Sequence, residues 1–160
     1  MVSQSGLIEF FVSFLDEGAI LQGEAVSGRT AGGLHTEENI QAKVILRPKI
    51  TEELSKILSA CHESNQPIVV HGGLTGLVYG TRSTQDQLVI SLERMNQIED
   101  VDLIGRTITC QSGTTLQTIQ EMAEENNMMF PLDLGARGSC SIGGNIATNA
   151  GGNRVIRYGM

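Results

Sequence analysis

Aromatic side chains are nearly missing from this 160-residue chain: there is no Trp, and Phe and Tyr together make up 4%. Its packing must rest on aliphatic residues and Met. Basic residues are also scarce, with 11 Lys and Arg against 18 Asp and Glu, a net charge of −7. That sign excludes nucleic acid and an anionic membrane surface as main partners. The three cysteines, Cys61, Cys110 and Cys140, are odd in number and form no CxxC pair. A disulfide framework and a structural zinc site are therefore excluded, and reduced thiols in a cytoplasmic setting are expected. Long apolar runs are missing too. Residues 6–15 are apolar, but the run is short, contains Glu9 and follows a start without Lys or Arg. Neither a signal peptide nor a membrane span is expected. What remains, 40% hydrophobic and 18% charged residues, suits a globular domain with a real core.

Glycine, by contrast, is abundant and clustered. Residues 131–152 read PLDLGARGSCSIGGNIATNAGG, with Gly at 135, 138, 143, 144, 151 and 152. No helical or strand period of apolar residues runs through it. Glycine is costly in regular elements, so such a run needs another purpose. Close backbone approach to a ligand is one, and N–H groups in Gly-rich turns hold anions such as phosphate. A flexible linker does not explain Pro131, Leu132, Leu134, Ile142 and Ile146 within the run. A second cluster, HGGLTGLVYG at residues 71–80, follows the apolar Pro67-Ile68-Val69-Val70. Two such loops suggest one elongated phosphate-bearing ligand held twice.

The remaining pattern predicts a mixed α/β order. Leu7, Ile8, Phe11, Phe14 and Leu15 predict an amphipathic helix, with Ser5 as N-cap and Gly18 as its stop. Residues 22–40 read as an irregular connection, and its His35 as a surface side chain. Residues 42–46 predict a strand. Thr51 follows as an N-cap, with Glu52 and Glu53 in the first turn of a helix that carries Leu54, Ile57, Leu58 and Cys61 on one face. Cys61 is read as a core thiol and His62 as a surface residue, not a metal pair. With residues 67–70 as the next strand, the three elements form a βαβ unit with parallel pairing. A strand at 87–92, a hairpin of 97–102 with 107–111, and a helix opened by Gly113-Thr114-Thr115 and ended by Asn126-Asn127 complete the order. Residues 141–149 predict a short helix with its N-terminus toward the ligand, and 153–160 an exit strand or turn.

Two common nucleotide motifs are absent: GxxxxGK(S/T) and GxGxxG do not occur. Instead GGLTGLVYG, VISLERMN (residues 89–96) and FPLDLGARGSCSIGGNIATNAGGNRVIRYGM resemble the FAD-binding domain of the vanillyl-alcohol-oxidase, or PCMH, type. The branch it resembles is the FAD-linked D-2-hydroxyacid dehydrogenases, including D-lactate and D-2-hydroxyglutarate dehydrogenases. The resemblance covers residues 42–160. It implies an α+β (α/β-like) lobe, a small mixed sheet with its βαβ unit flanked by helices, after an N-terminal lead-in at 1–41. It further implies that the second lobe and the substrate domain lie beyond Met160.

The resemblance implies noncovalent FAD between the two loops. The first loop would cradle the pyrophosphate with Gly72, Gly73, Leu74, Thr75, Gly76 and Leu77. The second would wrap the flavin with Pro131, Gly135, Ser139, Gly143, Gly144, Asn145 and Thr148. Thr75, Ser139 and Thr148 offer hydroxyls and Asn145 an amide, unless local turn bonding claims them. Some relatives tether FAD through a His just after the Gly pair; Leu74 stands there, and His71 precedes the pair. Tyr79-Gly80 stands where many relatives have a second Gly pair. No catalytic residue and no metal ligand is assigned, and Asp133 is read as a loop-bonding residue. The implied activity is hydride transfer from a small D-2-hydroxy acid to FAD. A flavin-binding module without turnover is the alternative, and an interaction protein a further one. A homodimer is left open as the assembly.

Overall fold

The computed structural model describes residues 4–33 and 38–159. His35 lies outside them. The described residues divide into two compact units: Met1–His71 with Gly76–Arg94, and Gly72–Thr75 with Met95–Met160.

In the first unit a four-stranded sheet runs in the order β1-β2-β4-β3, with β1 Ile20–Gln22, β2 Val44–Leu46, β3 Ile68–His71 and β4 Leu88–Ser91. β1 pairs antiparallel with β2, while β2 and β3 each pair parallel with β4. The expected βαβ unit is present, but its two strands are not neighbours, because β4 lies between them. The reason is burial. Leu88, Val89 and Ile90 are fully buried, which suits a central parallel strand covered on both faces. β3 leaves Val70 half-exposed and suits an edge.

Alternation along the strands then makes two apolar layers. Val44, Leu46, Leu88 and Ile90 join Leu7, Phe11 and Leu15 of the N-terminal segment and Ile57 and Cys61. Ile45, Val69 and Val89 join Val26, Ile40 and Ala42 on the other side. The first layer is supplied by α1 (Gln4–Val12) and α3 (Thr51–Glu63).

Several local expectations change. Ser5 lies within α1 and is not its N-cap; Gly18 sits in a separate 3-10 turn, Glu17–Ala19. Residues 22–40 are not wholly irregular, since they hold α2 (Glu24–Ser27) and a bridge between Thr30 and Asn39. Thr51 is the first helical residue of α3, and extended Ile50 is the cap without a side-chain bond. Glu53 instead reaches back, its Oε2 accepting from Lys49 N at 2.7 Å. This satisfies a donor ahead of the helix, as a capping-box glutamate does. Of the predicted apolar face, Ile57 and Cys61 are buried and Leu58 is exposed. Burial raises the Cys61 thiol to about 11, consistent with a core thiol, and His62 is exposed.

The second unit holds the predicted hairpin, β5 Ile98–Asp102 against antiparallel β6 Thr107–Cys110. α4 (Leu116–Glu125) follows. Thr115 caps it by accepting from Thr118 N, and Leu116, Ile119 and Ala123 are buried. Asn126 ends it, and Asn127 turns at φ +55°. α5 (Ile142–Ala147) is the predicted short helix. Residues 155–158 form α6 (Val155–Tyr158), a single helical turn where an exit strand or turn was expected.

Candidate functional site

The first glycine loop leaves the C-terminal end of β3, where parallel α/β sheets place ligands. His71 is the last strand residue, and Gly72 and Gly73 come next. Both glycines are required by packing within the second unit. A Cβ on Gly73 would stand 2.7 Å from Cys140 Cα, and one on Gly72 would overlap Ser141 Oγ. The backbone of residues 72–73 therefore lies directly on residues 139–141 of the second loop. Leu74 then takes φ +55°. A left-handed conformation is uncommon for a branched aliphatic residue and is maintained only where its surroundings demand it.

The six residues 72–77 share one property. Among the described residues, none of their backbone N–H groups donates a hydrogen bond inside the protein. Gly72 to Thr75 are half-buried and Gly76 and Leu77 exposed, so these donors are open to water or to an anionic ligand. Five of the six run through Gly72, Gly73, Leu74, Thr75 and Gly76, and Leu77 completes them. Gly76 and Leu77 belong to the first unit, the other four to the second. A Cβ on Gly76 would meet nothing within 4 Å, so this glycine is not explained by contacts within the chain.

The second loop behaves differently. Ser141 caps α5, accepting from Gly144 N at 3.3 Å, and bridges to Thr115. Ile142 N donates to Thr114 O and Gly143 N to Ser112 O at 2.8 Å. The first-turn donors of α5 are thus spent inside the chain, so Gly143 and Gly144 hold the loop's shape rather than offering N–H groups. Gly143 packs against Ser112, where a Cβ would sit 2.7 Å from Ser112 Cβ. Thr148 Oγ1 donates to Gly144 O at 2.8 Å, the local turn bond that competed with a ligand role.

Of the predicted second-loop residues, Gly135, Ser139 and Thr148 are exposed. Gly135 has open space around its Cα. Pro131 lines a cavity of about 370 Å³ together with Asn145, Ile142 and Arg154. Asn145 is 6% exposed, and its Nδ2 donates weakly to Cys140 Sγ at 3.6 Å. Its Oδ1 accepts nothing among the described residues.

Asp133 has the structural role expected of it. Its Oδ2 accepts from Asn153 Nδ2 at 3.2 Å and lies 3.7 Å from Arg154. Gly152 presses on its backbone, with a Cβ position 2.7 Å from Asp133 C. Among the described residues no group of His, Cys, Asp and Glu could hold a metal ion.

Two supporting features escaped the sequence reading. Gly33, at φ +61°, packs backbone to backbone on Gly76 O within the first unit. Buried His71 places Nε2 2.8 Å from Thr81 O. The Gly32-Gly33 pair in a polar stretch was the one available signal for the first; nothing in the sequence pointed to the second.

Comparison with known proteins identifies the family. The pattern that defines the family described as "FAD binding domain" matches residues 42–160. The D-2-hydroxyglutarate dehydrogenase, mitochondrial, of Danio rerio is 41% identical over 152 residues, 95% of this chain and 28% of that protein. The protein of the same name from Bos taurus is 46% identical over 118 residues, 74% of this chain and 22% of its own length. The chain thus spans about a quarter of the length of these relatives. A solved alkyldihydroxyacetonephosphate synthase shares the fold, with a TM-score of 0.87, 18% identity, and coverage of 98% of this chain and 31% of that one.

Proposed function

This chain belongs to the FAD binding domain family, and from that premise we propose that it is the flavin-holding part of a dehydrogenase that oxidises a small D-2-hydroxy acid. The observation that carries the reading is the run of six free backbone N–H groups at residues 72–77. A dinucleotide pyrophosphate carries negative charge and needs donors but no bulky side chains, and this run supplies donors with three glycines. With a net charge of −7, the chain would hold such an anion through backbone dipoles rather than a basic patch.

FAD, when bound, supplies the hydride acceptor; the protein's part is binding and orientation. Gly72 and Gly73 hold the first loop against the second. Pro131, Gly135 and Ser139 present an accessible surface, and Asn145 offers an unused carbonyl oxygen at the cavity. Leu74 has no nucleophile at the position where some relatives attach flavin, which supports noncovalent binding. The substrate class rests on the relatives' names, D-2-hydroxyglutarate dehydrogenase. A homodimer and a cytoplasmic location are proposed with it, the latter on three thiols that are all unpaired.

The test is flavin absorbance of the purified chain before and after incubation with FAD and desalting. Retained flavin that bleaches on addition of a D-2-hydroxy acid supports the full reading. Retained flavin without bleaching reduces the chain to a binding module. A colourless protein that ignores FAD overturns the flavin reading for this chain.

A further inference from the structure

The outer arm of the first glycine loop touches Gly33 at the Gly76 carbonyl and is exposed beyond it. Leu77, Val78 and Tyr79 are 68%, 65% and 61% exposed. Gly76 and Gly80 have no neighbour that a Cβ would meet. Residues 72–80 include four glycines, so ordering this loop costs more backbone entropy than an ordinary segment of its length. Something must restrict it if Gly76 and Leu77 are to keep their N–H groups aimed one way.

Buried His71 is placed to do this. It ends β3 in register with Ser91, and its carbonyl accepts from Leu92 N at 2.9 Å, so its backbone is fixed by β4. Its side chain is 2% exposed and spans ten residues to reach the Thr81 carbonyl. Thr81 ends the 3-10 turn Tyr79–Thr81, which is braced by Arg82 N donating to Tyr79 O and by the Arg82 guanidinium over the Tyr79 ring at 4.1 Å. A carbonyl can only accept, so Nε2 carries the proton. Burial disfavours the imidazolium, nearby Arg29 disfavours it further, and Glu93 and the Thr81 bond oppose them in part; the pKa is held below its usual value.

We propose that His71 is a positioning residue for the flavin loop. Its Nε2–H on the Thr81 carbonyl closes the loop at its base and sets the direction of the Gly76 and Leu77 N–H groups. The role rests on the flavin reading above for its purpose, but not for its geometry. Losing one buried hydrogen bond corresponds to a change of roughly tenfold in an equilibrium.

The experiment uses the full chain and two variants. His71→Leu fills the space without a donor, and His71→Gln restores an N–H of similar reach. Hydrogen exchange of the Arg82 amide, which donates to Tyr79 O, is measured without ligand, and FAD affinity is measured by flavin fluorescence. His71→Leu should exchange this amide roughly tenfold faster and bind FAD about tenfold more weakly, and His71→Gln should recover most of both. Unchanged exchange in His71→Leu, or a His71→Gln no better than it, overturns the proposal. If the wild-type chain does not bind FAD, the flavin reading fails, and the exchange arm still decides the loop's positioning. If His71→Leu does not fold, nitrogen NMR of the wild-type imidazole decides: a proton on Nε2 at neutral pH sustains the proposal, and a proton on Nδ1 overturns it.

Discussion

Gly33 and Gly76 meet backbone to backbone, and the Gly76 carbonyl fills the space where a Cβ on residue 33 would stand. Gly33 also holds φ +61°, which side chains resist. Gly33→Ala therefore combines strain with overlap and should destabilise the chain by about 2 kcal/mol, seen as a lower urea midpoint. Because the overlap falls on Gly76, flavin affinity should drop by more than the stability loss explains. Equal affinity for FAD would show that the position of Gly76 does not matter to the ligand.

Glu93 joins two arginines. Its Oε2 and Oε1 accept from Arg29 at 2.9 and 3.0 Å, and Oε1 also accepts from Arg47 at 2.8 Å. Burial alone would raise this carboxyl, but the hydrogen bonds and charges of Arg29 and Arg47 outweigh it and hold the group at about 2. The folded value lies below the unfolded one, so the stabilisation is complete above about pH 4.5 and is lost as pH falls toward 2. Glu93→Gln should cost about 1–2 kcal/mol at neutral pH, after allowance for solvent screening. The variant should also flatten the acid limb of a stability curve between these values; an unchanged limb would remove Glu93 from the acid transition.

The glycines divide into two groups by what lies beside them. Gly143→Ala would set a Cβ 2.7 Å from Ser112 Cβ and should destabilise by about 1–3 kcal/mol. Gly135→Ala meets nothing within 4 Å and should leave the thermal midpoint within about 2 °C of wild type. If Gly135 faces the flavin, that second variant still loses retained FAD. Thermal melts and flavin retention on both variants separate packing from binding.

The thiols differ in access. Cys61 and Cys140 are buried, whereas Cys110 is half-buried. Burial raises Cys61 to about 11 and also raises Cys110. A chromogenic thiol reagent should find at most one cysteine, slowly, in the native chain at neutral pH and all three in denaturant. Rapid native reaction of two thiols would mean that the core around Cys61 or Cys140 opens readily.

Ile57 sits at the centre of the sheet–helix layer and is fully buried. Ile57→Ala should cost about 2–5 kcal/mol in chemical denaturation. Leu58→Ala, on the exposed side of the same helix, should cost less than about 1 kcal/mol.

Local chemistry determined much of this protein. Apolar runs at 42–46, 67–70 and 87–92 marked the strands found at 44–46, 68–71 and 88–91. The hairpin, the Thr115 cap, the Asn126-Asn127 stop and the Ser141 cap all follow from short-range preferences that the chain satisfies wherever it sits. Glycine content alone marked both loops. Tertiary structure decided the rest, because it depends on which surfaces meet. The central place of β4 came from competition for burial, which no single strand records. The same held for Thr51, which falls inside the helix while Ile50 takes the cap position. Most of all, sequence could not distinguish a glycine that frees an N–H group from one that lets two backbones touch. Residues 72–77 keep their donors free, while Gly143 and Gly144 spend theirs on Ser112 and Ser141. That distinction exists only once distant carbonyls and hydroxyls have been brought within hydrogen-bond reach.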